Sequence, residues 1–205
     1  TQELLPREPD ISRWRKLILV RTDRIGDMLV TTPCIRAIRQ ALPEVRLDML
    51  ASAHNVPAIY GNPYLDNIHI FDRKSPLSWP GLVLRLRAER YDAALVFNSN
   101  SRSAGFLSML LETPERIGFS GAPMRNGSVR WGYGGAYTRL PQGAGSVQVT
   151  LEMLEKLNSI GIPAFSPHMD FIVPEVLTLA MRQRFPSVPG RLRLAIFVGN
   201  IKKVT

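Results

Sequence analysis

The stretch Lys16-Leu17-Ile18-Leu19-Val20-Arg21-Thr22-Asp23-Arg24-Ile25-Gly26-Asp27 decides the fold. Its first six residues form a short, β-branched, nearly continuous apolar run, the pattern of a strand covered on both faces in a parallel sheet. A polar turn follows, after which Met28, Ile35, Ile38 and Leu42 fall roughly on one face of a helix. Pro33 lies inside that helical pattern, which predicts irregular first turns or a start later than Asp27.

Working outward, residues 45–50 and 68–71 read as strands, 82–90 as a helix, 93–97 as a buried strand, and 102–111 and 147–159 as helices, with Gly161 as the stop of the last. This alternation predicts an α/β fold, a Rossmann-like three-layer sandwich with a mostly parallel sheet. Between residues 119 and 146 the composition turns to Gly, Arg, Ser and the aromatics Trp131, Tyr133 and Tyr137, which reads as a long mobile loop. Residues 186–190 look like a linker and 192–198 like a new buried strand. The expected organisation is one domain over residues 1–187, with residues 188–205 the first strand and loop of a second.

At 205 residues, 45% hydrophobic and 21% charged, the chain can bury one good core and little more. The lone Cys34 offers neither an internal disulfide nor a metal set, and His54, His69 and His168 are scattered. No apolar run is long enough to span a bilayer and none resembles a targeting segment. The net charge of +9 favours an anionic partner, whether phosphate, anionic lipid or nucleic acid, unless it is only a solvated basic surface.

Ligands of parallel α/β sheets bind beyond the carboxyl ends of the strands. Two segments fall there. The Arg21–Asp27 segment holds two carboxylates, two guanidinium groups and Gly26, but lacks the glycine spacing of a dinucleotide fingerprint and the Gly-Lys-Ser/Thr of a phosphate loop. Asp27 is either a helix N-cap or a carboxylate that reaches substrate beside a glycine. Asp23 reads as a turn residue, with Arg24 as its ion-pair partner. The second segment, Asn98-Ser99-Asn100-Ser101-Arg102-Ser103, suits sugar hydroxyls and a phosphate or carboxylate, or is simply a capping loop with Ser101 or Asn100 at the helix start.

The run from Ile18 to Pro33, continuing through Ala37 to Leu42-Pro43, resembles the opening signature of glycosyltransferase family 9, the ADP-heptose:lipopolysaccharide heptosyltransferases. Arg116-Ile117-Gly118-Phe119 and Ile160-Gly161-Ile162 add to the resemblance, which covers roughly residues 16–203. It implies the acceptor-side, N-terminal half of an inverting GT-B glycosyltransferase, here with only the start of the nucleotide-sugar half and so inactive alone. The implied reaction moves heptose from ADP-heptose to the lipopolysaccharide inner core, with no metal or other cofactor. Asp27 is the implied catalytic base. Arg24, Gly26, Asn98, Asn100, Ser101 and Arg102 would meet a phosphorylated lipid A inner-core acceptor, aided by Arg125 and Arg130. Gly199, Asn200, Lys202 and Lys203 would begin the donor diphosphate site, unless the lysines form a solvated basic turn. The setting implied is the cytoplasmic side of a Gram-negative inner membrane, the protein peripheral on its anionic surface. The sequence departs from the family at Gln148, where a His is frequent. A relative acting on O-antigen or protein is the alternative, and a basic nucleic-acid-binding module a distant one, since the arginines are dispersed and no nucleic-acid motif appears.

Overall fold

A computed structural model of the protein describes residues 9–98, 101–119, 136–186 and 190. Five strands, β1 (Lys16–Arg21), β2 (Arg46–Ser52), β3 (Asn67–Phe71), β4 (Ala93–Val96) and β5 (Glu115–Gly118), form one sheet in the order β3-β2-β1-β4-β5. Every pairing between them is parallel. β1 lies at the centre because its residues tolerate cover on both sides: Leu17, Ile18, Leu19 and Val20 are fully buried.

The period-two alternation of the strands divides the core. Leu17 and Leu19 join Leu47, Met49, Leu95 and Ile117 in one cluster, against α2 (Thr32–Ala41) and α5 (Val149–Asn158). Ile18 and Val20 join Leu50, Ala94 and Val96 in the other, against α3 (Trp79–Ala88) and α4 (Arg102–Leu110). This is the three-layer sandwich expected from the sequence.

The helix expected after β1 is two helices. α1 (Ile25–Leu29) ends within two turns, and α2 then begins with Pro33 at its first positions, where a missing N–H costs nothing. The two buried threonines between them explain the break. Thr31 Oγ1 donates to the Asp27 carbonyl at 2.8 Å and Thr32 Oγ1 to the Leu29 carbonyl at 2.8 Å. These are orphan carbonyls of the α1 terminus, so the hydroxyls finish one helix as the proline starts the next.

Of the loop expected to be mobile, residues 136–146 are described. Residues 120–135, with Trp131, Tyr133, Arg125 and Arg130, lie outside the described residues. Beyond them Ala136 and Tyr137 are buried, and Thr138 and Arg139 donate through their backbone N–H groups to the Arg116 carbonyl. The returning chain thus covers the free edge of β5. Arg116 reinforces this, donating from Nε to the Ala136 carbonyl at 2.8 Å.

Several arginines that add to the charge of +9 are committed internally. Arg36 pairs with Asp170 and donates to the His168 carbonyl at 2.7 Å, and Arg39 bridges Asp66 and the carbonyls of Tyr64, Pro43 and Val45. Cys34 is buried, and burial pushes its thiol up, so it stays neutral.

Residues 1–172 form one compact unit and 173–205 a second. In the second, α6 (Glu175–Arg184) follows Pro174 and buries none of its side chains. The helical pattern there was not read from the sequence. The expected strand at 192–198 lies outside the described residues.

Candidate active site

In the order β3-β2-β1-β4-β5 the chain steps from β1 toward β2 on one side and reaches β4 on the other. The crevice beyond the carboxyl ends of β1 and β4 is therefore the switch point, where loops leave in opposite directions and a ligand can enter. Both segments singled out from the sequence meet there.

Arg21, the last residue of β1, organises the crevice. Its side chain is only 5% exposed. Nη1 donates to the Phe97 carbonyl at the end of β4 at 2.6 Å, Nη2 lies 3.1 Å from Asp27 Oδ1, and Nε lies 2.9 Å from Asp23 Oδ1. The Nε–Asp23 contact is one of charge, since neither atom has an aligned hydrogen bond. The Arg21 carbonyl accepts from Asn55 Nδ2 at 3.0 Å, which ties in the end of β2.

Asp27 does not cap its helix. Arg24 occupies the N-cap, and no side chain makes a capping hydrogen bond there. Asp27 stands in the first turn of α1 with its side chain 39% exposed, and its only ion-pair partner among the described residues is Arg21. The carboxylate is thus held at one oxygen and open at the other. Beside it, a Cβ built on Gly26 would meet nothing within 4 Å, so the glycine leaves room that none of the described residues fills. Burial pushes the Asp23 carboxyl above its usual range, Arg21 pulls it down, and the Asp27 charge adds to the upward shift.

Across the crevice Asn98 is 3% exposed and donates from Nδ2 to Thr22 Oγ1 at 3.1 Å. Among the described residues its Oδ1 has no hydrogen-bond partner. A buried amide oxygen without a donor costs free energy, and it is the kind of acceptor that a ligand hydroxyl can complete. Ser101 is the N-cap of α4, without a side-chain capping bond, and its hydroxyl lies 3.0 Å from that of Ser103. Arg24 is exposed at the mouth of α1 and Arg102 opens α4.

The structure therefore brings Asp27, Gly26, Arg24 and Asn98 to one crevice, with Ser101 and Arg102 following on α4. Asn100, Gly199, Asn200, Lys202 and Lys203 lie outside the described residues. Sequence reasoning missed the part played by Arg21 and Thr22. The available signal was a guanidinium at the end of a fully apolar strand, where a buried charge needs several partners. Among the described residues no group of three or more His, Cys, Asp or Glu side chains could hold a metal, and no helix is long and apolar enough to cross a membrane.

No protein-family model matches the chain. It is 34% identical over 79 residues to lipopolysaccharide heptosyltransferase 3 of Escherichia coli K12, covering 34% of this chain and 22% of that protein. The glycosyl transferase family 9 protein of Veillonella parvula shares its fold with a TM-score of 0.63 at 14% identity, over 85% of this chain and 51% of that one. The E. coli ADP-heptose lps heptosyltransferase II does so with a TM-score of 0.58 at 18% identity, over 86% and 52%. The chain spans 22% and 26% of the lengths of the curated relatives it matches, and about half of these solved chains. The resemblance to glycosyltransferase family 9 carried by the β1–α1 signature is thereby borne out, in sequence by a heptosyltransferase relative and in fold by solved members of that family.

Proposed function

We propose that this chain is the acceptor-side half of an inverting glycosyltransferase in which Asp27 is the general base. One observation carries the reading: at the switch point stands a carboxylate with one oxygen fixed by Arg21 and the other open, beside a glycine that leaves space next to it. In such a transfer the acceptor hydroxyl gives its proton to Asp27 as its oxygen bonds to the anomeric carbon. The bond from that carbon to the nucleoside diphosphate breaks with the electron pair going to phosphate, so positive charge rather than an acid is needed on the leaving side.

The donor we assign is ADP-heptose and the acceptor a phosphorylated lipid A inner core. E. coli heptosyltransferase WaaC, a structural neighbour at 17% identity, has been solved with ADP, and lipopolysaccharide heptosyltransferase 3 is a sequence relative. Arg24 and Arg102 supply positive charge at the crevice for acceptor phosphates, and the Asn98 Oδ1 awaits a hydroxyl donor. Gly199, Asn200, Lys202 and Lys203 are assigned to the donor diphosphate, in a nucleotide-sugar half that residues 188–205 begin. The assigned place of work is the cytoplasmic face of the inner membrane, bound peripherally to anionic lipid.

The deciding experiment is Asp27→Asn in the full-length protein, assayed with ADP-heptose and inner-core acceptor. Turnover should fall by roughly two to four orders of magnitude, the size of a general-base contribution. Thermal stability and donor binding should stay near those of the wild type. Normal turnover by the Asn variant removes Asp27 from the chemistry and makes Asp23 the carboxylate to examine.

A further inference from the structure

We propose that Arg21 is a positioning residue for the transfer, holding Asp27 where it can meet the acceptor. The proposal rests on the reading of Asp27 as the base. The geometry behind it is a three-way fork: one buried guanidinium reaches the Phe97 carbonyl just past β4, Asp23 in the β1–α1 turn and Asp27 on α1. A planar group with donors in fixed directions can hold three partners from three segments at once. A lysine, with one charge on a flexible stem, cannot.

The anchoring is asymmetric in a way that suits positioning. The 2.6 Å bond to Phe97 fixes the guanidinium to the sheet, while the two carboxylates it faces are only partly buried. Both carboxylate contacts are ion pairs, at 2.9 Å to Asp23 and 3.1 Å to Asp27, and of the two acids only Asp27 stands on α1 beside Gly26.

Other charged and titratable groups stand on the neighbouring segments. Asp23 and Arg24 share its turn, and His54 precedes the short turn Val56–Ala58 that packs against α1. Arg102 opens α4 across the crevice. The Cys34 thiol of α2 lies close enough for Arg21 to influence it, but is held neutral by burial. Among the described residues, Arg21 is the one in direct contact with Asp27.

The test is steady-state kinetics on the full-length protein with ADP-heptose and inner-core acceptor, for the wild type, Arg21→Gln, Arg21→Lys and Asp27→Asn, each normalised to folded protein. Arg21→Gln should leave the donor KM within about twofold while kcat drops on the order of tenfold to a hundredfold, the scale of a misplaced catalytic group. Arg21→Lys keeps the charge but not the fork, so its kcat should also fall about tenfold or more. Wild-type kcat per folded molecule in Arg21→Gln overturns the proposal, because a merely structural arginine lowers stability without changing the turnover of the molecules that fold. Should Arg21→Gln fail to fold, wild-type kcat in Arg21→Lys overturns it. Asp27→Asn separates the two ideas: an active Asn variant defeats the general-base reading itself, whereas an inactive one beside a fully active Arg21→Gln defeats only the positioning role.

Discussion

Two carboxylates, each paired with an arginine, stand at opposite ends of the same sheet and are treated in opposite ways. Asp48, on β2 toward the amino ends of the strands, is fully buried and takes four partners. Arg46 lies at 2.9 Å, Tyr91 donates its hydroxyl at 2.6 Å, Asn67 donates Nδ2 at 3.0 Å, and His69 Nε2 lies at 3.4 Å. Arg46 also reaches Glu89, which in turn meets Lys16, so the charge is passed out to the surface through a closed network. Asp27, beyond the carboxyl ends, has one arginine and an open oxygen. A buried charge with every valence filled marks structure, and a charge held at one side and left free at the other marks a place where a ligand completes the set.

The largest effects should separate the two ends cleanly. Asp48→Ala strips the partner from Arg46 and Tyr91 inside the sheet and should cost about 3 to 5 kcal/mol in denaturant-induced unfolding. Asp27→Ala, at a site partly open to water, should change stability by no more than about 1 kcal/mol. Equal losses at the two positions would erase the distinction. Leu19→Ala, between the two carboxylates on the central strand, should cost about 2 to 5 kcal/mol through the cavity it leaves, and serves as the yardstick for damage to the core.

The fold was legible where a single rule governed a stretch. The run from Lys16 to Arg21 could only be a covered strand, and the repeated alternation of apolar strand and amphipathic helix left few arrangements besides a parallel sandwich. What escaped was set by contacts between segments distant in sequence. The split of the first helix depends on two threonine hydroxyls finding carbonyls one turn back, and the return of Tyr137–Arg139 onto β5 depends on a free sheet edge that no local pattern announces. In the site, Asp27, Gly26 and Asn98 stood out by chemistry and position. Arg21 did not, because its role comes from where the β4 carbonyl and the α1 carboxylate lie. The same reason hides the Asp48 network, whose members come from four segments of the chain.

Smaller effects test how closed the Asp48 network is. Burial alone pushes the Asp48 carboxyl up, but hydrogen bonds from His69, Tyr91, Asn67 and Arg46 outweigh it and hold the group well below the usual carboxylate range. With the folded-state value depressed, its contribution is present above the ordinary carboxylate pKa of about 4 and is lost as pH falls through and below that value. Acid titration of stability should therefore show a loss below about pH 4 that Asp48→Asn removes. For Tyr91, burial and then the bond to Asp48 push the phenol upward. Its contribution is complete below about pH 10 and declines above it, as the unfolded chain ionises first. Tyr91→Phe should cost about 1.5 to 3 kcal/mol at neutral pH, the worth of a hydrogen bond to a charged group, and abolish that alkaline decline. A Phe variant as stable as the wild type would mean that Asp48 is satisfied without it.

The smallest effect is expected from Gly26→Ala, and it probes the open end most directly. The added methyl would meet nothing within 4 Å, and Gly26 has no left-handed backbone conformation to strain. Within α1 an alanine is preferred over glycine, so stability measured by thermal unfolding should be unchanged or rise by about 0.5 to 1 kcal/mol. If the space beside Asp27 is kept for an acceptor, the same methyl should raise the acceptor KM of the full-length protein while leaving the donor KM alone. Stability gained and acceptor affinity lost in one substitution is the outcome that a reserved space predicts. A destabilised Ala variant would show instead that the glycine serves the fold, and an Ala variant unchanged in acceptor KM would place the acceptor elsewhere along the crevice.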